Sequence, residues 1–185
     1  MIDELLEDAK RRMDKSVETT AHEFNTVRTG RASAALLDRI QIDYYGQQTP
    51  LKQLATINVP EPRMLTIQPY DPGSIKAIER AVQESELGLN PSNDGKLIRL
   101  PVPQLTEERR KELVKVVKHL AEEGRVAVRN VRRDLMHDLK ELVRDGEVGD
   151  DEERRAEDRA QKLTDEHVAK IDDLLKKKEE EIMEV

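Results

Sequence analysis

Four arginines lie within the short segment EGRVAVRNVRRD, at positions 125, 129, 132 and 133. Their spacing of four, three and one residues places them on one face of an α-helix. The guanidinium group stays ionised in proteins, and its planar fork matches the oxygens of a phosphate group. Like charges this close together repel each other unless a counter-charge is present. The segment therefore predicts a helical face that binds phosphate groups through Arg125, Arg129, Arg132 and Arg133.

The same segment carries a second, apolar face. Small and apolar residues recur along it at steps of three and four, the spacing of a helix that packs against other helices. A glycine within such a face indicates a point where two helices approach closely, because a larger residue would overfill it. The residues of this face are Ala121, Gly124, Val128, Val131 and Leu135.

The overall charge weighs against a general nucleic-acid-binding protein, since the 185 residues have a formal net charge of −7. The negative charge is local, however. Residues 146–185 hold 8 Lys and Arg against 15 Asp and Glu, and the rest of the chain is neutral on balance. A basic face is therefore compatible with an acidic C-terminal segment. Two other interpretations of the arginines remain open, a merely solvated face or pairs with Glu122 and Glu123 in the same chain.

The sequence contains no recognisable catalytic or metal-binding constellation. It has no cysteine, which excludes disulfides and thiolate chemistry and fits a reducing compartment. The four histidines are scattered, and no HExxH, Walker or GxGxxG motif occurs. The acidic N-terminus is not typical of a signal peptide, and no stretch is apolar enough to span a membrane. We therefore expect a cytoplasmic protein that is not an enzyme, holds no cofactor or metal, and does not bind a membrane.

Hydrophobic periodicity predicts three long helices. The first covers residues 1–28, the second runs from an N-cap at Thr106 to about Asp145, and the third covers residues 150–184. The segment from Gly146 to Gly149 separates the second helix from the third. Amphipathic helices of this length need partners, so the sequence predicts a three-helix bundle built from residues 1–29 and 106–185.

Between the first and second helices the pattern changes to that of a small α/β domain, residues 32–104. The residue pattern predicts strands at 40–45, 54–59, 64–68 and 97–100, and residues 46–50 are interpreted as a turn or loop. Ser74 is expected to cap a helix that runs to Glu84 and is ended by Gly88. The predicted fold class is therefore α+β, an elongated three-helix bundle with an inserted, smaller β/α/β domain.

Two short connectors join the predicted domains, at residues 29–33 and 101–105. The bundle and the insert each have their own apolar pattern, and no third connection is evident. These features favour a hinge over a rigid interface. The predicted hinge residues are Thr29, Gly30, Arg31, Pro101, Val102, Pro103, Gln104 and Leu105.

The scarcity of aromatic residues narrows the kind of nucleic acid that the arginine face would bind. The chain has only Phe24, Tyr44, Tyr45 and Tyr70, and Phe24 lies on the apolar face of the first helix. Proteins that read single-stranded RNA usually stack its bases on aromatic side chains. We therefore expect contacts with the backbone of structured RNA.

Several short runs, in order along the chain, resemble the ribosome recycling factor family. They are RTGRA from Arg28, DYYG from Asp43, LGLNP from Leu87, LTEERR from Leu105 and VRNVRR from Val128. Each run is weak by itself. Together they are specific, and the resemblance covers essentially the whole chain.

The resemblance implies an L-shaped monomer with the outline of a tRNA. It also implies binding to the 70S ribosome after peptide release. With elongation factor G and GTP, such a factor splits the ribosome into subunits and releases it from mRNA, and the smaller domain is the part that elongation factor G pushes. In the family the bundle lies against large-subunit ribosomal RNA. The matching residues here are Arg129, Arg132 and Arg133, with Arg28 and Arg31 at the end of the first helix and Arg110 at the start of the second.

Two competing functions differ in class from a recycling factor. One is a coiled-coil adaptor whose arginine face binds an acidic protein, and salt-sensitive binding to RNA would separate it from a recycling factor. The other is an enzyme with an unrecognised carboxylate site. The enzyme is the least favoured, because the sequence offers no nucleophile, metal cluster or cofactor loop.

Overall fold

The computed structural model describes residues 1–184, so Val185, the last residue of the predicted bundle, lies outside the described residues. Within these described residues, five α-helices and six strands follow one another. They are α1 (Ile2–Asn25), β1 (Gln41–Tyr44), β2 (Gln47–Pro50), α2 (Leu51–Leu54), β3 (Ala55–Glu61), β4 (Met64–Pro69), α3 (Ile75–Glu84), β5 (Ser92–Asn93), β6 (Ile98–Pro101), α4 (Glu107–Arg144) and α5 (Asp150–Met183). Two compact units result, residues 1–28 with 107–184 and residues 29–106. The α+β class predicted from the sequence is confirmed.

The first unit, called the bundle below, consists of α1, α4 and α5, and each of these helices packs against the other two. The helix predicted over residues 1–28 ends at Asn25. At the other end of the bundle, α4 stops just before Gly146, which has a φ of 75°. The backbone N–H of Glu147 then donates to the carbonyl oxygen of Leu142 across the helix end. The predicted break between the second and third long helices therefore lies where the sequence indicated.

The three helices of the bundle meet at Gly124 of α4. A Cβ atom added there would lie 2.3 Å from Oγ1 of Thr20 on α1 and 3.2 Å from Cδ1 of Ile171 on α5. Thr20 is buried, and its hydroxyl donates to the backbone carbonyl of Ser16 at 2.9 Å. The predicted close approach at Gly124 is confirmed, and the polar residue opposite it is satisfied within its own helix.

A polar pair that the apolar periodicity did not predict ties α1 to α5. His167 on α5 has only 1% of its side chain exposed, and its Nε2 lies 2.6 Å from Oδ1 of Asp14 on α1. Its Nδ1 lies 2.7 Å from the carbonyl oxygen of Leu163. Both neighbours are acceptors, so both contacts form at once only when both ring nitrogens carry hydrogen. The hydrogen bond from His167 lowers the pKa of the Asp14 carboxyl below its ordinary value.

The second unit, called the sheet unit below, has its own core. Four antiparallel strands are ordered β3-β4-β6-β5, and β1 pairs with β2 as a separate hairpin. The helix α3 adds Ile78 and Val82 to the apolar cluster. The residues of this cluster that are fully excluded from solvent include Leu37, Leu51, Leu65, Ile67, Ile78, Val82, Ile98 and Leu100.

The turn or loop predicted at residues 46–50 is correct at Gly46 and wrong for residues 47–50, which form β2. In the hairpin Tyr44 lies opposite Gln47, so the turn consists of Tyr45 and Gly46 alone. Their φ angles are 51° and 84°. Such two-residue turns favour Asn-Gly or Asp-Gly, and a tyrosine at the first position therefore gave no turn signal.

The predicted start of the helix α3 is also corrected. Ser74 does not cap it, because its hydroxyl donates to the backbone carbonyl of Asp71 at 2.7 Å. The carboxylate of Asp71 instead accepts the N–H of Gly73 and starts a short 3-10 turn that leads into the helix. The predicted end at Glu84 is confirmed, but Ser85 follows it directly and Gly88 does not end the helix.

We predict that Gly124→Ala destabilises the bundle by about 1–3 kcal/mol through overpacking, even though alanine is the better helix former. Thr20→Ala removes the nearest atom, so in that background Gly124→Ala should be nearly neutral or stabilising. Urea unfolding followed by helical circular dichroism measures both differences. An equal loss in the two backgrounds would contradict the contact between Gly124 and Thr20.

Candidate nucleic-acid interface

The helix α4 carries all four arginines of the predicted phosphate-binding face, but the bundle uses them differently. Gly124 fixes the rotational position of α4 by facing α1 and α5. The residues that follow it along the helix therefore range from nearly buried to fully open. The expectation of four guanidinium groups side by side on one open face is corrected by these differences.

Arg125 is largely built into the bundle. Only 19% of its side chain is exposed, and its Nη2 lies 2.7 Å from Oδ1 of Asp172 on α5. Its Nη1 donates to Oε2 of Glu122, one turn earlier on α4, at 3.0 Å. Burial alone would lower the pKa of Arg125, but the hydrogen bonds to Asp172 and Glu122 outweigh it and raise the pKa above its ordinary value. Arg125 is thus a permanent cation whose charge is neutralised within the chain.

Arg129 is more open and shares one of these carboxylates. Its side chain is 48% exposed, and its Nη1 lies 3.3 Å from Oε1 of Glu122. Glu122 therefore bridges Arg125 and Arg129, as the interpretation of intrachain pairs proposed. Glu123, the other acid named in that interpretation, instead has His119 at 3.0 Å. An exposed pair of this kind is weak and exchanges readily for another anion.

Arg132 and Arg133 are adjacent in the chain but differ in their surroundings. Arg132 is half-buried, and its Nη1 donates to Oε1 of Gln161 on α5 at 2.8 Å, so no acid neutralises it there. The side chain of Arg133 is exposed and makes no ion pair or hydrogen bond with any of residues 1–184. The neighbouring Asp134 is paired with Arg12 on α1 at 3.0 Å. Arg133 is therefore the cation of this face with the least compensation inside the chain.

The other predicted arginines lie outside this face. Arg28 and Arg31 are exposed, the first in the bundle just beyond α1 and the second in the sheet unit. Arg110, near the start of α4, is only 9% exposed, and its Nε is buried without a hydrogen-bond partner among the described residues. Its burial leaves little of its surface for a phosphate group.

The predicted hinge residues are anchored to the sheet unit to different degrees. Pro101 belongs to β6 and lies opposite Met64, while Val102 is 6% exposed and donates its N–H to the carbonyl oxygen of Arg63 at 2.8 Å. On the outward connector, Ala32 donates in the same way to Pro62 at 2.7 Å. Beyond these anchored points, the connectors consist of residues 29–31 and 103–106.

The two connectors also meet each other within the sheet unit. Gly30 has a φ of 79°, and a Cβ atom added to it would lie 3.2 Å from Cγ of Leu105. Thr29 and Leu105 are half-buried, whereas Pro103 and Gln104 are exposed.

Comparison with known proteins decides the family. The profile of the family described as ribosome recycling factor matches residues 20–183. The chain belongs to the ribosome recycling factor family. The ribosome-recycling factor of Rubrobacter xylanophilus is 60% identical over 180 residues, covering 97% of each chain. That of Bacillus pumilus is 56% identical over 185 residues, covering 100% of each.

Solved structures of the family have the same fold. A solution structure of the ribosome recycling factor is 44% identical, covers 100% of this chain and 98% of that chain, and superposes with a TM-score of 0.77. A second structure is 48% identical, covers 99% of each chain, and has a TM-score of 0.66. It is described as the T. thermophilus ribosome recycling factor and the E. coli elongation factor G bound to the E. coli post-termination complex.

Residues 1–184 contain neither a membrane-spanning helix nor a cluster of metal-ligating side chains. None of their helices is long and apolar enough to cross a membrane. No three or more His, Cys, Asp or Glu side chains in this part of the chain are grouped as metal ligands.

Arg125 is paired within the bundle and Arg133 is open, so replacing each by alanine should affect the free energy of unfolding to different extents. Arg125→Ala should lower the free energy of unfolding by about 1–2 kcal/mol, because Asp172 and Glu122 lose their partner but regain water. Arg133→Ala should change it by less than about 0.5 kcal/mol, as is usual at an open surface position. Urea unfolding of the two variants makes the comparison, and equal losses would contradict the assignment.

Proposed function

We propose that this chain acts as a ribosome recycling factor through a phosphate-binding surface on α4. It binds the post-termination ribosome through the backbone of large-subunit ribosomal RNA. With elongation factor G and GTP, it then promotes separation of the subunits and release from mRNA. The observation that carries the proposal is the exposed, uncompensated Arg133 on a bundle of this family, with Arg129 one turn away.

The arginines of the proposed surface differ in how accessible they are to phosphate groups. Arg133 and Arg129 are exposed enough to contact phosphates directly, and Arg132 lies beside them with a neutral partner, Gln161. Arg125 is assigned a positioning role, because its carboxylate partners hold it against α5. Phosphate contacts from a preformed helix face position a protein on RNA without reading its sequence.

The proposal includes no chemical step. The free energy for separating the subunits comes from binding to the ribosome and from the GTP-driven partner, and we propose no catalytic residue or cofactor. Because its proposed target is the post-termination ribosome, the proposed place of action is the cytoplasm. The adaptor that binds an acidic protein is less favoured, since membership of the family gives it no support.

Separation of subunits is tested by light scattering of purified post-termination ribosomes, using ribosomes and elongation factor G from one bacterium. We expect the scattering to fall only when this protein, elongation factor G and GTP are all present. A folded protein that binds these ribosomes but leaves the scattering unchanged in the complete mixture would contradict recycling.

Ribosome binding should depend on the exposed arginines of α4. Arg133→Ala is expected to weaken binding by about 1–3 kcal/mol, the range for a charge-assisted contact. It should also lower the slope of log K against log salt by about one unit. Arg154→Ala is the matched control, because Arg154 is an exposed arginine on α5 with no partner among the described residues. Equal losses in both variants would mean that only net charge matters.

We further propose that the sheet unit moves relative to the bundle about the connectors at Thr29–Arg31 and Pro103–Leu105. These stretches are shorter than the connectors predicted at residues 29–33 and 101–105. The hydrogen bonds of Ala32 and Val102 support the shorter stretches, because they fix the adjacent backbone to the β3–β4 turn. Short connectors that join two separately packed units are a common form of hinge. Such movement would let a partner that pushes on the sheet unit act on the bundle.

The hinge predicts a broad distribution of distances between the two units. The chain has no cysteine, so two introduced cysteines are the only sites for spin labels. Labels at Gln48→Cys and Lys162→Cys report across the units, and labels at Lys115→Cys and Lys162→Cys report within the bundle. Pulsed electron paramagnetic resonance should give a broad distribution for the first pair and a narrow one for the second. Equally narrow distributions would show a rigid connection.

A further inference from the structure

The tip of the β1–β2 hairpin presents an aromatic side chain in an unusual position. Tyr45 is 85% exposed, and its φ of 51° is the only positive value at a non-glycine residue among residues 1–184. Side chains with a Cβ atom disfavour this backbone region, and asparagine or glycine is the usual choice in such a turn. Tyr45 therefore satisfies neither the turn nor the core, and an external contact would explain its presence.

The ring of Tyr45 is held in place by its neighbour. The rings of Tyr44 and Tyr45 meet edge to face, with centroids 4.5 Å apart and planes at 74°. The hydroxyl of Tyr44 donates to Oδ2 of Asp71 at 3.2 Å, which fixes the supporting ring. A pre-positioned, open aromatic face of this kind loses little freedom when it binds a partner.

The charges near the tip are acidic. Asp43 lies two residues before Tyr45 on β1, is exposed, and has no ion-pair or hydrogen-bond partner in the described chain. Residues 41–50 contain no lysine or arginine. The nearest basic residue after the hairpin, Lys52, is paired with Asp38 at 2.6 Å. An aromatic face two residues along the chain from an unpaired carboxylate attracts cations and repels the phosphates of RNA.

We propose that Tyr45 and Asp43 bind an arginine or lysine side chain from a basic segment of a protein partner. The cation lies over the Tyr45 ring, and the Asp43 carboxylate supplies the counter-charge. This surface belongs to the sheet unit and is separate from the arginine face of α4. The proposal goes beyond the proposed function, because neither RNA binding by α4 nor movement about the connectors requires it.

The test uses the full-length, 15N-labelled protein and two probe peptides in nuclear magnetic resonance titrations. One peptide is acetyl-Gly-Arg-Gly-Arg-Gly-amide. The other carries citrulline, a neutral analogue of similar shape, in place of each arginine. We expect saturable shifts of the backbone amides from Asp43 to Gly46 with the arginine peptide and none with the citrulline peptide. Equal shifts with both peptides, or none with either, would overturn the proposal. A saturable response of the same amides to oligouridylate would instead assign the tip to RNA.

Substitutions separate the aromatic face from simple hydrophobicity. Tyr45→Phe should retain binding, whereas Tyr45→Leu and Asp43→Asn should each weaken it roughly two- to fivefold. Leucine keeps an apolar side chain at the same backbone position but lacks the ring. Binding by Tyr45→Leu as strong as that of the unaltered protein would refute the cation–ring contact.

A last variant tests whether Tyr45 is merely structural. Tyr45→Asn should abolish the response to the arginine peptide while the melting temperature stays the same or rises, because asparagine tolerates positive φ. A marked fall in melting temperature would show that Tyr45 supports the hairpin, and the proposal would then fail.

Discussion

The close packing of three helices at Gly124 is the constraint on which the bundle depends. Thr20 and Ile171 fill the space that a side chain at this position would occupy. The next residues along α4 and α5, Arg125 and Asp172, form an ion pair in the same register. The packing at Gly124 and the ion pair of Arg125 with Asp172 thus require the same alignment of α4 with α5. Sliding or rotating either helix would break both contacts.

That alignment also decides which arginines remain available. A helix places successive residues about 100° apart, so fixing Gly124 toward the core turns Arg125 toward α5 and leaves Arg133 facing outward. The charged face is therefore partly a structural element and partly a binding surface. Its affinity for anions is not set by the number of arginines alone, because Glu122 and Asp172 already neutralise some of them.

The sequence predicted the features that repeat locally. The three long helices, the strands β3 and β4, and the close approach at Gly124 all follow from periodicity or residue size. Contacts between distant residues left no such signal. Nothing local relates His167 to Asp14, 153 positions away, or Arg125 to Asp172, 47 positions away. The strand β2 was missed for another reason, since its sequence QQTP is polar and is recognised only through its pairing with β1.

The incoming and outgoing chain of the sheet unit are held at the same turn, and this has a consequence for how the family can evolve. Pro62 and Arg63, consecutive residues of one turn, accept hydrogen bonds from Ala32 on the incoming chain and Val102 on the outgoing chain. Both ends of the segment thus emerge at one place, and its core is complete without the bundle. Recombination between related genes can therefore replace the sheet unit as a whole and leave the bundle unchanged. The surface of the sheet unit can then diverge without altering the surface of the bundle.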